Sequence, residues 1–184
     1  MNKTELRKKV KKSLSLLDRD EIKIKERLLS ENLLNLLNSL NILSTNITIG
    51  LFAPMRDEVN VLPSLKEHEN KFSFPCLNDL GEMIFKKSTF ADLEITKEFG
   101  VDIHGPRSGA VKVEPDILLV PGLAFGKNGE RLGRGRGYYD KYLNSFNNIT
   151  IGLGLSDQII EDIPMEEHDC FLNWVVTDKE VIKI

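Results

Sequence analysis

Apolar positions in the first forty residues recur at helical spacing. Leu6, Val10, Leu14 and Leu17 fall three or four apart, and a second run sets Ile22, Leu29, Leu33, Leu36, Leu37 and Leu40 along one side. Asp18 followed by Glu21 has the form of a capping box, so two successive helices are predicted. Residues 41–46, four of them polar, read as a polar break, and the period then changes. Residues 47–53 are short, β-branched and closed by Pro54, which is the pattern of a buried strand running into a loop. A short helical piece is predicted over 62–69, with strands at 71–75 and 83–86. Residues 89–113 show no period, being interrupted by Gly100, Gly105, Pro106 and Gly109, and read as irregular chain on the surface or against a ligand. Residues 116–120 form the clearest buried strand. A helix over 138–146 and strands at 149–155 and 174–177 follow.

This alternation predicts an α/β fold: a single-domain, doubly wound, mostly parallel open sheet with helices on both faces. Residues 1–40 would form a helical N-terminal segment and residues 47–184 the sheet region of one domain spanning 1–184. A chain of 184 residues with 41% hydrophobic content is long enough to bury one full core.

Between the strand at 116–120 and the helix at 138 lies the most informative stretch, residues 121–140. It holds six glycines and four cationic side chains, opposed only by Glu130 and Asp140. Glycine lets backbone N–H groups turn toward an anion at close range, and Arg and Lys add fork-shaped and point-like charge. A flexible linker needs the glycines but not the arginines. The stretch begins at the carboxyl end of a strand, where open α/β sheets bind ligands. It matches neither the phosphate-binding loop ending in Gly-Lys-Ser/Thr nor the spacing of the dinucleotide fingerprint. A solvated surface loop is the alternative reading.

Charge narrows the partners. The net charge of -3 argues against a general nucleic-acid binder, so positive charge is local. It gathers in the glycine-rich segment and at the N-terminus, where Lys3, Arg7, Lys8, Lys9, Lys11 and Lys12 crowd together. Cys76 and Cys170 have no metal-ligand spacing and are too few for a disulfide framework. No apolar run approaches the ~20 residues that span a bilayer, and no signal-peptide pattern opens the chain. A reduced, cytoplasmic protein with no membrane or nucleic-acid partner is expected, with a monomer as the default.

Several side chains are candidates for chemistry. Asp140 lies where bound phosphates would sit, and a carboxylate there suits Mg²⁺, which takes one or two carboxylates plus phosphate oxygens; it is equally an ordinary helix-start acid. Tyr138 and Tyr139 offer rings for stacking, although one of two adjacent helical tyrosines usually faces the core. Glu58, in the loop after the first strand, suits a polar substrate or plain solvent. The trio His168-Asp169-Cys170 invites a metal or nucleophile reading, but zinc lacks a second cluster of ligands. His104 reads as an ordinary loop histidine. No Gly-x-Ser-x-Gly elbow or triad occurs. The inventory favours phosphate and metal chemistry without a protein nucleophile.

Residues 121–125 and 131–140, with the motif Arg131-Leu132-Gly133-Arg134-Gly135-Arg136-Gly137-Tyr138-Tyr139-Asp140, resemble the signature of the 5-formyltetrahydrofolate cyclo-ligase family. Lys3-x-x-x-Arg7, the strand and loop up to Glu58, and Ile163-Pro164 followed by His168-Asp169 fall in that family's order. The resemblance implies ATP- and Mg²⁺-dependent conversion of 5-formyltetrahydrofolate to 5,10-methenyltetrahydrofolate, through phosphorylation of the formyl oxygen and closure by N10. By the same resemblance, Lys3, Arg7, Arg131, Leu132, Gly133, Arg134, Gly135, Arg136, Gly137, Tyr138 and Tyr139 would contact ATP. Glu58 with Arg134, Gly135, Arg136, Gly137 and Tyr138 would bind the reduced folate. Arg134 and Tyr138 would act at the reacting atoms, and Asp140 and Asp169 would hold Mg²⁺. Two departures from the family pattern are Ile103-His104-Gly105-Pro106 and Asn173, where members often carry an acid. A sugar-phosphate isomerase, an acyl-transfer enzyme and a nucleic-acid module using the Arg-Gly-Arg-Gly-Tyr-Tyr run are the competing readings.

Overall fold

The computed structural model of the protein describes residues 1–98, 101–166 and 169–184. Helix α1 (Lys3–Leu14) opens with Asn2 as N-cap and a complete capping box with Glu5, a device worth about 1 kcal/mol. Helix α2 (Arg19–Ser39) is capped by Asp18, which accepts from the Asp20 and Glu21 N–H groups. Glu21 does not complete the expected box there; its carboxylate pairs with Lys25 at 2.7 Å. Leu29, Leu33 and Leu37 on α2 are fully buried at four-residue spacing, and each such burial contributes roughly 1.5–3 kcal/mol.

Strand β1 (Ile49–Gly50) follows, then α3 (Leu62–Leu65), β2 (Phe72–Leu77), β3 (Met83–Lys87), β4 (Glu94–Glu98), β5 (Val101–Gly105), β6 (Lys112–Val113) and β7 (Ile117–Pro121). The chain continues through β8 (Ala124–Phe125), β9 (Arg131–Leu132), α4 (Tyr138–Leu143), β10 (Ile149–Leu153), β11 (Trp174–Val176) and β12 (Val181–Lys183). Among the described residues, eight strands form one sheet in the order β12-β11-β10-β7-β1-β2-β3-β6. The central strands β11, β10, β7, β1 and β2 are parallel, and β12, β3 and β6 add antiparallel edges. The expected doubly wound α/β sheet is therefore present.

All five residues of β7 are buried, as a strand covered on both faces requires. Ile117 and Leu119 pack with α2 and α3, whereas Leu118 and Val120 pack on the α4 side. Two strand glycines have packing reasons. A Cβ on Gly50 would lie 2.7 Å from Leu118 Cδ1, and one on Gly152 would lie 2.7 Å from both Leu172 Cδ1 and Phe125 Cε1. Phe125 also fills the space left by Gly122 and Gly154.

Three expectations need correction. The stretch read as irregular over 89–113 contains the antiparallel pair β4·β5 and the short strand β6. Its pattern is hard to read because Gly100, Gly105, Pro106 and Gly109 break the alternation. The front half of the glycine-rich segment is not a loop but the β8·β9 hairpin, with Leu123, Phe125 and Leu132 in the core. Strand β12 was hidden by its length of three residues.

Candidate active site

The chain moves from β1 to β2 on one side of the sheet and from β7 through β10 to β11 on the other. The order reverses between β1 and β7, so the loops leaving their carboxyl ends meet across a topological switch point. Arg134, from the loop after β9, spans this junction. Its Nη1 and Nη2 donate to the two Asp57 carboxylate oxygens at 3.0 and 2.5 Å, and its Nε donates to Glu58 Oε1 at 2.8 Å. Glu58 is held in turn by the Met55 N–H at 2.9 Å. Burial alone would raise the Asp57 pKa, but the Arg134 hydrogen bonds and charge more than offset it and hold the carboxyl below its ordinary value. Two carboxylates share one guanidinium here. Asp57 was not among the expected site residues; its only signal was its place beside Glu58.

On the other side of the glycine-rich segment, α1 walls a cleft of about 410 Å³. Leu6 and Val10 seat the helix on Leu123, Ala124, Leu132 and Ile163. That packing turns Lys3 and Arg7 into the cleft, where they meet Arg131, Leu132, Gly133, Gly135, Gly137, Asp140 and Asp169. The two N-terminal cations, distant in sequence, thus share a wall with the segment that carries the Arg-Gly motif. Arg7 Nε donates to the Gly133 carbonyl at 2.8 Å, and a Cβ on Gly135 would lie 3.3 Å from Arg7 Cζ. Gly135 and Gly137 have φ of 96° and 75°, a backbone region that favours glycine. Leu132 is buried, so its exposed contribution is backbone.

Arg131 is pinned. Its side chain donates to the Pro121 carbonyl at 3.1 Å, ion-pairs with Asp140 and lies 5.6 Å over the Tyr139 ring. Lys3 ion-pairs with Asp169 and, at 3.5 Å, with Glu166. Glu166 gave no signal in the sequence. The charges of Asp140 and Asp169 both reach the Cys170 thiol, whose pKa is raised first by burial and then by these carboxylates. That thiol is therefore not an activated nucleophile.

The donor chemistry of the cleft fits Mg²⁺ in kind: Asp140, Glu166 and Asp169 line it, all hard oxygen ligands. Among the described residues no group of three or more His, Cys, Asp or Glu is placed to hold a metal, so a metal there would draw its other ligands from phosphate and water. Tyr138 opens α4 and Arg136 is exposed. Tyr139 points its hydroxyl inward; the oxygen is buried and, among the described residues, has no hydrogen-bond partner. Burial pushes that phenol far above its ordinary pKa, and the nearby Glu58 carboxylate adds to the effect.

Other candidates fall elsewhere. His104 is exposed on β5 opposite Ile95. Asn173 is structural, with its Oδ1 accepting from the Thr150 N–H at 2.8 Å and hydroxyl at 3.0 Å. His168 lies outside the described residues.

Comparison with known proteins decides the lineage. The profile of the 5-formyltetrahydrofolate cyclo-ligase family matches residues 1–178. The chain belongs to that family. A 5-formyltetrahydrofolate cyclo-ligase of Mus musculus is 30% identical over 146 residues, covering 70% of this chain and 71% of that one. The cyclo-ligase of Escherichia coli K12 is 36% identical over 86 residues, 43% of this chain and 47% of its relative. In solved structures, the 5,10-methenyltetrahydrofolate synthetase of Aquifex aeolicus superposes with a TM-score of 0.81 at 31% identity, over 100% of this chain and 93% of that one. This cyclo-ligase family member is accordingly an enzyme of the ligase class. No helix among its described residues is long and apolar enough to cross a membrane.

Proposed function

We propose that the protein closes 5-formyltetrahydrofolate to 5,10-methenyltetrahydrofolate, consuming ATP and releasing ADP and phosphate. The observation that carries the reading is the meeting, at one switch point of a cyclo-ligase fold, of the Lys3 and Arg7 wall with the glycine-rich segment and the Glu58 loop. The cleft beside α1 is the nucleotide side. Lys3, Arg7 and Arg131 supply charge to phosphates, and the backbone of residues 132–137 supplies N–H groups at close range. Glu58, Arg134 and Tyr138 face the reduced folate on the other side. The formyl oxygen attacks the γ-phosphorus and ADP leaves; N10 then attacks the activated carbon, loses its proton, and phosphate departs with the former formyl oxygen. Such a transfer needs positioning and charge neutralisation rather than a protein nucleophile. Mg²⁺, held by Asp140 and Asp169 together with nucleotide phosphates, would neutralise charge on those phosphates. A cytoplasmic setting and small-molecule partners belong to the same proposal. The test is the absorbance of methenyl product formed from 5-formyltetrahydrofolate: formation with ATP and none without it is expected, and no product under either condition overturns the reading.

A further inference from the structure

Arg134 stands between Gly133 and Gly135, which offer no side chain to brace it. A long side chain so placed has several free rotations and takes a fixed direction only where another part of the chain imposes one. The loop after β1 imposes it. One Asp57 oxygen accepts from Arg134 Nη1 at 3.0 Å and the other from Nη2 at 2.5 Å. Such a two-point fork sets the plane of the guanidinium as well as its distance, which a single hydrogen bond does not.

The two neighbouring carboxylates differ in what they give Arg134. Glu58 gives it one bond, from Nε to Oε1 at 2.8 Å, and its other oxygen accepts the Met55 N–H. The Glu58 side chain is only 8% exposed, so its charge needs a partner. The Asp57 side chain is 38% exposed, so water can hydrate its charge and the pairing is not needed to neutralise it. Both Asp57 oxygens are nevertheless spent on Arg134. A guanidinium carries five N–H donors; three are taken by these bonds, which leaves two for a ligand.

We infer that Asp57 is a positioning residue of the reaction: its carboxylate fork fixes the Arg134 guanidinium so that the two remaining N–H donors meet the reacting atoms. The inference rests on the function proposed above and deepens it, and it divides the work of two adjacent acids. Glu58 contacts the reduced folate, whereas Asp57 acts through Arg134 and touches no substrate. Asp57→Asn keeps the size of the side chain but replaces one acceptor oxygen by an amide donor, which faces an N–H of Arg134. One arm of the fork is lost and the plane of the guanidinium with it.

The test is a double-mutant cycle of wild type, Asp57→Asn, Arg134→Ala and the double variant, with methenyl formation followed below the melting temperature of the least stable protein. Asp57→Asn alone should lower kcat/KM for 5-formyltetrahydrofolate about tenfold, as a misplaced group at a reacting centre does, and leave the KM for ATP unchanged. In the Arg134→Ala background the same substitution should cost nothing further, because the side chain it orients is gone. Unchanged kinetics in Asp57→Asn overturn the inference. So does a second tenfold loss in the Arg134→Ala background, which makes Asp57 a substrate contact or a brace of the fold, or a loss confined to the KM for ATP. If Asp57→Asn is unfolded at the assay temperature, Asp57→Glu, which keeps both oxygens one methylene further out, enters the same cycle under the same criterion. An inactive wild type overturns the proposed function and this inference with it; an active wild type with additive losses overturns the inference alone.

Discussion

Arg134 and Arg131 belong to one motif, yet their surroundings give them different work. Arg131 is almost fully buried, with Asp140 and a backbone carbonyl as partners; Arg134 is more open and joins two loops through three charge-assisted bonds. Arg134→Ala should therefore reduce kcat/KM tenfold to hundredfold, matching the roughly 1.5–3 kcal/mol of hydrogen bonds to charged groups. The variant should also melt at a lower temperature, because Asp57 and the nearly buried Glu58 lose the guanidinium they share; wild-type kinetics in a folded variant would remove Arg134 from the site. Asp140→Asn keeps an acceptor for Arg131 and loses the charge a hard cation needs. Its activity should fall and recover in part as Mg²⁺ is raised, whereas normal activity across a Mg²⁺ titration would leave Asp140 as a partner of Arg131 only. Asp57 sets a pH dependence. Its folded pKa is depressed below the ordinary value near 4, so its stabilising contribution is complete above that value and is lost as pH falls through the folded pKa. Denaturant midpoints of wild type and Asp57→Asn should differ at pH 7 and converge as pH falls below the folded Asp57 pKa; a constant difference down the acid range would separate the stabilisation from the Asp57 charge.

At the scale of elements, α1 is the piece whose role depends most on where it docks. Its apolar stripe buries Leu6 and Val10 and half-buries Leu14, enough to lay it on the β8·β9 hairpin and the Ile163 segment. Docking brings Lys3 to Asp169 and Arg7 to Gly133, 166 and 126 residues away in sequence. Removing residues 1–8 should raise the KM for ATP more than that for 5-formyltetrahydrofolate. Lys3→Ala with Arg7→Ala, which leaves Leu6 and Val10 in place, should reproduce the effect without the loss of packing. Equal effects on both substrates in the double variant would make α1 a structural brace.

Across the whole molecule, the site is a junction of three chain regions on a sheet that buries its hydrophobic faces on two sides. The cleft holds charged groups already paired with one another, and the Cys170 thiol beside them is not activated. Phosphoryl transfer should thus pass directly from ATP to the substrate. With the formyl oxygen isotopically labelled and the reaction run to completion, mass spectrometry should find the label in the released phosphate. Label in water, or a phosphoprotein trapped at any residue, would require a covalent route.

The helices, the central strands and the glycine-rich segment were legible in the sequence because each is a local pattern: period 3.6 in α1 and α2, unbroken apolar residues in β7, and glycine beside arginine after it. The two-residue strands β8 and β9 were not, since their burial comes from neighbours such as Gly152 and Leu172 that lie far along the chain. Nor could residue spacing show that Arg131 is sealed against Asp140 while Arg134 reaches Asp57, or that the Tyr139 hydroxyl is buried without a partner among the described residues. Sequence determined which chemistry the chain carries, because side-chain type and backbone permissiveness are properties of single residues. Tertiary structure decided on which side of the glycine-rich segment each group lies, because that depends on the strand order reversing between β1 and β7 and on α1 folding back over the hairpin.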